Sequence, residues 1–169
     1  MEEQTTGCLV CGAPLEYFPS QIEMECTYCH KTFMSNARCV NGHFICDSCH
    51  EQMGLRVIED ICRHTDSRDP VAIMKKIILS PYIYMHGPEH HVLVGSALLA
   101  AYKNAGGELD LDAALEEMRN RGAQVPGGIC GLWGTCGAAV STGIFVSLIT
   151  GASPLSGKEW GLCNEMTSR

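Results

Sequence analysis

Residues 39–50 read CVNGHFICDSCH, with three cysteines and two histidines in twelve positions. Cys46 and Cys49 form a Cys-x-x-Cys knuckle, and Cys39 and His43 place a second sulfur–imidazole pair just upstream. Two further knuckles precede them, Cys8/Cys11 in CLVC and Cys26/Cys29 in CTYC. Two thiolates of one knuckle can share a tetrahedral ion, so two pairs close one zinc site. The seven cysteines and His43 together close two, which fixes the first fifty residues as a small metal-bound α+β module, zinc ribbon or treble clef in type.

The pairing has two solutions. Between the first two knuckles, APLEYFPSQIEMEC alternates in polarity and holds a Pro-Ser pair, so it reads as a short hairpin turning at Pro19-Ser20. Such a hairpin sets Cys8/Cys11 beside Cys26/Cys29 and leaves Cys39, His43, Cys46 and Cys49 as the second site. This sequential pairing is favoured because it closes a site locally. The cross-braced pairing, Cys8/Cys11 with Cys39/His43 and Cys26/Cys29 with Cys46/Cys49, satisfies the same spacings. Either way each site has four protein ligands and no open position, which is a structural set. A segment this short, with few large apolar residues, needs the metal to fold. The stretch CVNGHFICDSC resembles the middle of a RING finger, but its Cys-to-His spacing is longer and its Cys/His pair comes third rather than second.

The chain has 169 residues, 46% hydrophobic and 18% charged, which is globular composition. A net charge of −7 gives no basic footprint for nucleic acid or anionic lipid. The acidic, polar start MEEQTTG has no signal-peptide pattern. Eleven cysteines in a chain without an export signal indicate metal before disulfides, and a reducing cytoplasm as the compartment. The uncharged stretch 122–157 has an apolar part, GAAVSTGIFVSLITGA, that is short for a membrane span and reads as a buried core helix.

Beyond Cys49 the spacing turns helical, with Met53, Val57, Ile61, Ile58 and Cys62 on related faces. TDSRDP, residues 65–70, is the polar break between periodic segments. The expected organisation is a zinc module over 1–50, a connecting helix and linker over 51–69, and an all-α bundle over 70–169. Helices are expected near 70–79, 88–105, 110–121, 135–150 and 157–167.

The bundle carries two unusual stretches. HGPEHH, 86–91, sets Pro88 in a first helical turn, with His86 and Glu89 three apart and His86 and His90 four apart, so these three can converge while His91 points elsewhere. In PGGICGLWGTCGAAVSTGIF, Cys130 sits in a glycine-rich loop and Cys136 just before a helix, a position whose free amides favour thiolates. Small residues line both helices: Gly95, Ser96, Ala97, Ala100 and Ala101 on one, and Ala139, Gly143, Ser147 and Gly151 on the other. If they cross near their starts, Cys130, Cys136, His86, Glu89 and His90 share a pocket, with Cys136 and His90 as its reactive pair.

Two resemblances follow from these motifs. Over nearly its whole length the chain resembles an uncharacterised prokaryotic family, mostly from anaerobes, with a zinc-ribbon-like N-terminal part. The stretches that carry the resemblance are HGPEHH, VPGGICGLWGTCGAAVSTGIF and SPLSGKEWGLCNEMTSR. It implies no activity. Locally, GTCGAAVSTGIFVSLITG is similar to the cysteine-bearing helix of the C-GCAxxG-C-C family of small redox-associated proteins. There a second cysteine opens the preceding helix; here histidine occupies the comparable place, which tilts the implied site toward a metal.

The expected function is therefore a metal-binding protein with two structural zinc ions. Its His/Cys/Glu pocket suits iron, an iron–sulfur cluster or a cofactor in anaerobic redox, sulfur or one-carbon metabolism. One alternative is a non-catalytic partner subunit that binds an anionic cofactor, or another protein through the zinc module. Another is a transferase with Cys136 as nucleophile and His90 as base. No nucleic acid or membrane partner is expected; a small-molecule ligand and an oligomer are compatible with the sequence. The C-terminal stretch GKEWGLCNEMTSR reads as a lid or docking helix, or as a helix that merely caps the bundle.

Overall fold

The computed structural model describes residues 7–84 and 87–169. Among them are a two-stranded antiparallel sheet and seven helices. The strands are β1 (Leu15–Glu25) and β2 (Thr32–Cys39). The helices are α1 (Asp47–His64), α2 (Pro70–Ile78), α3 (His90–Asn104), α4 (Leu111–Gly122), α5 (Ile129–Leu132), α6 (Gly137–Thr150) and α7 (Lys158–Ser168). The small sheet followed by helices agrees with the expected order, with the short α5 added.

The expected hairpin inside 13–26 does not form. β1 runs through Pro19-Ser20 as one strand and pairs with β2, from Leu15↔Cys39 to Glu25↔Thr32. Its register shifts between Tyr17 and Ile22, where extra residues of β1 bulge against Asn36. A strand proline cannot donate to the ladder and is accommodated at such a bulge, so the Pro-Ser pair marks an irregularity and not a turn. The turn is the second knuckle itself, closed by Cys26 N–H to Lys31 O (2.9 Å) and by His30 N–H to Cys26 O (2.9 Å), with His30 at φ 57°.

Helices α2 and α4 start where a short polar side chain caps them. Asp69 accepts from Val71 N–H (2.8 Å) ahead of Pro70, and Asp110 accepts from Ala113 N–H (3.1 Å). One apolar core joins Leu55, Ile58 and Cys62 of α1 to Ile73 and Ile77 of α2, Leu93 and Leu99 of α3, and Leu115 and Met118 of α4. The helical unit therefore takes in most of α1, so residues 51–64 are part of the bundle rather than a connection to it. The 65–70 segment is also tied down: Asn104 Nδ2 donates to Thr65 O (2.7 Å) and Ser67 O (2.9 Å). Cys62 is buried within this core, and burial pushes its thiol up to about 12, which suits an inert filler.

Helices α3 and α6 cross near their starts, as the small residues suggest. Gly95 N–H donates to Ser141 Oγ (2.8 Å), and a Cβ on Gly95 would stand 2.7 Å from the Ser141 carbonyl oxygen. Gly143 faces α7 instead, where a Cβ would lie 3.1 Å from Cys163 O. Ser147 accepts from Arg121 (2.9 Å). The small residues that meet α3 are thus Gly137 and Ser141, while Gly143 and Ser147 of the expected stripe face other helices. Gly95→Ala is expected to cost about 1–3 kcal/mol, because backbone on the facing helix cannot yield cheaply. Thermal denaturation should show Tm lowered by about 2–4 °C per kcal/mol lost. An unchanged Tm would mean that the crossing is looser than described.

Candidate metal centres

Two groups of side chains bring their donor atoms within 4.8 Å of one another: Cys8, Cys11, Cys39 and His43, and Cys26, Cys29, Cys46 and Cys49. All eight residues expected as ligands fall in these two groups, and the grouping is the cross-braced one. The favoured sequential pairing fails because β1 is a single strand that holds the first two knuckles apart. Cys8/Cys11 precede β1 and meet Cys39 at the end of β2, across the Leu15↔Cys39 pair. Cys26/Cys29 form the far turn and meet the first turn of α1, where Cys46 is the N-cap. The segment between the sites is short: Cys39 N–H donates to His43 O (2.8 Å), and Thr27 N–H donates to the next carbonyl, Phe44 O (2.8 Å).

The spacing fits a tetrahedral ion. Cys11 and Cys39 sulfurs are 3.5 Å apart, Cys29 and Cys46 sulfurs 3.8 Å, and Cys8 Sγ lies 3.8 Å from His43 Nδ1. Tetrahedral bonds of about 2.3 Å to sulfur place neighbouring sulfurs about 3.8 Å apart. Free amides converge on the sulfurs: Val10 N–H on Cys8 (3.4 Å), Asn41 N–H on Cys39 (3.3 Å) and Cys46 N–H on Cys26 (3.4 Å). Asn41 Nδ2 also reaches Cys11 (3.6 Å). Such donors stabilise thiolate.

Within each group the sulfurs compete for charge. At Cys26 burial opposes ionisation, but the Cys46, Cys29 and Tyr28 amides outweigh it and lower the thiol to about 6. Burial and then the sulfurs of Cys46, Cys29 and Cys26 push Cys49 up to about 12. In the other group the Ala13 amide and the Asn41 side chain lower Cys11 to about 6, while burial raises Cys39. Close sulfurs cannot all ionise alone; a divalent cation removes the conflict, so each group can hold a metal ion.

The bundle disperses its expected pocket. Glu89 is 1% exposed and lies 3.5 Å from Nδ1 of His50, which is itself buried in the first turn of α1. The His50 ring stacks on Tyr84 with centroids 3.8 Å apart and planes at 2°. The glutamate occupies a cradle left by two glycines. A Cβ on Gly54 would be 2.8 Å from Glu89 Cγ, and one on Gly87 would collide with its carboxylate. Glu89 Oε2 and His50 Nε2 are both buried without a hydrogen-bond partner among the described residues. Beside this pair a cavity of about 300 Å³ opens between sheet and bundle, lined in part by Arg38, His43, Asp47, His50 and Tyr84.

His90 Nε2 meets Tyr84 O (2.7 Å) instead of a sulfur. His91, expected to point away, packs its ring on Gly137, directly after Cys136; a Cβ there would be 2.4 Å from His91 Nε2. Cys130 on α5 and Cys136 before α6 are both exposed. No group of three or more metal-donor residues includes them among the described residues. His86 lies outside the described residues. Sequence spacing missed His50 because its contact with Glu89 bridges two helices and follows no periodicity.

Residues 58–169 match DUF5714. The chain belongs to this family. It is described as a family of unknown function, and the match covers the last part of α1 and α2 to α7 but not the two ligand groups. The resemblance drawn from the motifs to an uncharacterised family is thus shown over residues 58–169. No curated protein and no solved structure matches the chain.

Proposed function

We propose that the protein binds two zinc ions, both structural, and that its chemistry is redox or sulfur chemistry at the thiols of the bundle. The observation that carries the first half is the closure of both groups: four donors each and no position left for water or substrate. The second half rests on Cys130 and Cys136, which remain exposed while the other thiols of the bundle and its junction are covered in whole or part. Iron or a cluster held by Cys130, Cys136, His86, Glu89 and His90 is less well supported. Glu89 is committed to the His50 cradle and His90 to the Tyr84 carbonyl.

Metal analysis of anaerobically purified protein is expected to give about two zinc per chain with no visible absorption, since structural zinc of this type is held tightly at neutral pH and lacks d–d bands. Iron in stoichiometric amount, with visible bands, would sink this reading in favour of a redox metal. A docking role has one observation in its favour. Leu132, Trp133, Leu155 and Trp160 are large apolar side chains left exposed around α5 and the start of α7.

A further inference from the structure

Cys130 stands on the short α5 and Cys136 ends the loop that follows it, and they are the exposed thiols of the bundle among the described residues. The loop has a neck. Ile129 O accepts from Trp133 N–H (2.8 Å) and, at 3.5 Å, from Thr135 N–H, so Cys130 directly follows the first residue of the neck and Cys136 directly follows the last. Neither sulfur has a hydrogen-bond partner among the described residues. Between them lie Gly131 and Gly134, at which a Cβ would meet no heavy atom within 4 Å. Gly134 also has φ +70°, a conformation that glycine adopts at little cost. Such a loop has the room and the backbone freedom to bring its ends together. Its apolar residues point outward, with Leu132 79% and Trp133 68% exposed. His91 adds an imidazole beside the neck, packed on Gly137.

We propose that Cys130 and Cys136 form a dithiol pair that exchanges with disulfide substrates. The inference rests on the thiol-chemistry reading above and names its substrate class. In the first step the Cys136 thiolate attacks one sulfur of a disulfide RSSR. A Cys136–SR bond forms, the RS–SR bond breaks, and RS⁻ leaves and takes up the proton that Cys136 lost. In the second step the Cys130 thiolate attacks Cys136 Sγ and displaces the second RS⁻, which takes up the proton from Cys130. The two protein thiols are oxidised by two electrons to one disulfide, and RSSR is reduced to two RSH. The exposed Leu132 and Trp133 offer a disulfide-bearing substrate an apolar contact next to the reacting sulfurs.

Glutathione disulfide is the probe. Trypsin releases residues 122–158 as one peptide in which Cys130 and Cys136 are the cysteines. After anaerobic incubation with the probe and alkylation of remaining thiols, that peptide from the zinc-loaded protein should carry neither alkyl nor glutathione and be lighter by two hydrogens. An effective concentration in the mM range for a short flexible loop favours ring closure roughly tenfold over a second glutathione at about 0.1 mM. Cys130→Ser and Cys136→Ser should instead trap one glutathione on the remaining thiol, with zinc content unchanged. Two glutathiones on the wild-type peptide, or two alkyl groups where the single-cysteine variants are glutathionylated, would overturn the dithiol pair and leave thiol reactivity standing. Variants that take up no glutathione either would overturn both the pair and the reading beneath it.

Discussion

Cys26→Ser is expected to unfold the N-terminal module and leave the bundle helical. The buried side chains of residues 7–46 are Cys8, Met24, Cys26, Cys39 and Cys46, so the interior of this segment is mostly sulfur. With so little apolar area to bury, its folding free energy is the metal's binding free energy, on the order of 10–16 kcal/mol for a structural zinc. Cys26 is fully buried and belongs to the group that fastens the turn between β1 and β2 to the start of α1. Serine offers no comparable ligand. Bound zinc should fall below two per chain, amides of β1 and β2 should lose hydrogen-exchange protection, and the far-ultraviolet helical signal should persist. A variant lacking all eight ligands that melts like the parent would refute the structural role. Acidification should act in the same direction, because protons compete with zinc for the thiolates and for His43.

Glu89→Ala is expected to destabilise the bundle by about 2–5 kcal/mol, because it leaves a buried cavity and a buried imidazole without its neighbour. The substitution strands the His50 ring between Tyr84 and an empty cradle, and Gly54 and Gly87 provide no side chain to refill the space. Glu89→Gln keeps the shape and should cost less. Denaturant unfolding of both variants, with zinc content measured in parallel, separates the pair from the metal sites. A change under about 0.5 kcal/mol for the alanine variant would mean that the buried carboxylate contributes nothing there, since surface-like substitutions fall in that range.

Much of this architecture is legible from residue types and spacing. The eight candidate ligands stand out as three Cys-x-x-Cys knuckles and the Cys39/His43 pair, and the main helices follow from apolar periodicity with Asp69 and Asp110 as caps. The pairing of ligands is not legible, because it depends on whether Pro19-Ser20 turns the chain or bulges it, and both use the same residues. Within HGPEHH, helical spacing cannot show that Glu89 turns toward α1 while His91 turns toward α6. The extent of the bundle was obscured by a polar segment that resembles a linker in composition and is anchored by Asn104 in the fold.

The single peptide step between the His43 and Phe44 carbonyls, one engaged by Cys39 and the other by Thr27, has a consequence for loading. Filling of the two groups is therefore expected to be coupled. Ordering one ligand group fixes the backbone that the other must adopt, so the entropy of closing the second has largely been spent when the first ion arrives. Half-loaded chains should then be scarce, and the population should divide between empty and doubly filled molecules.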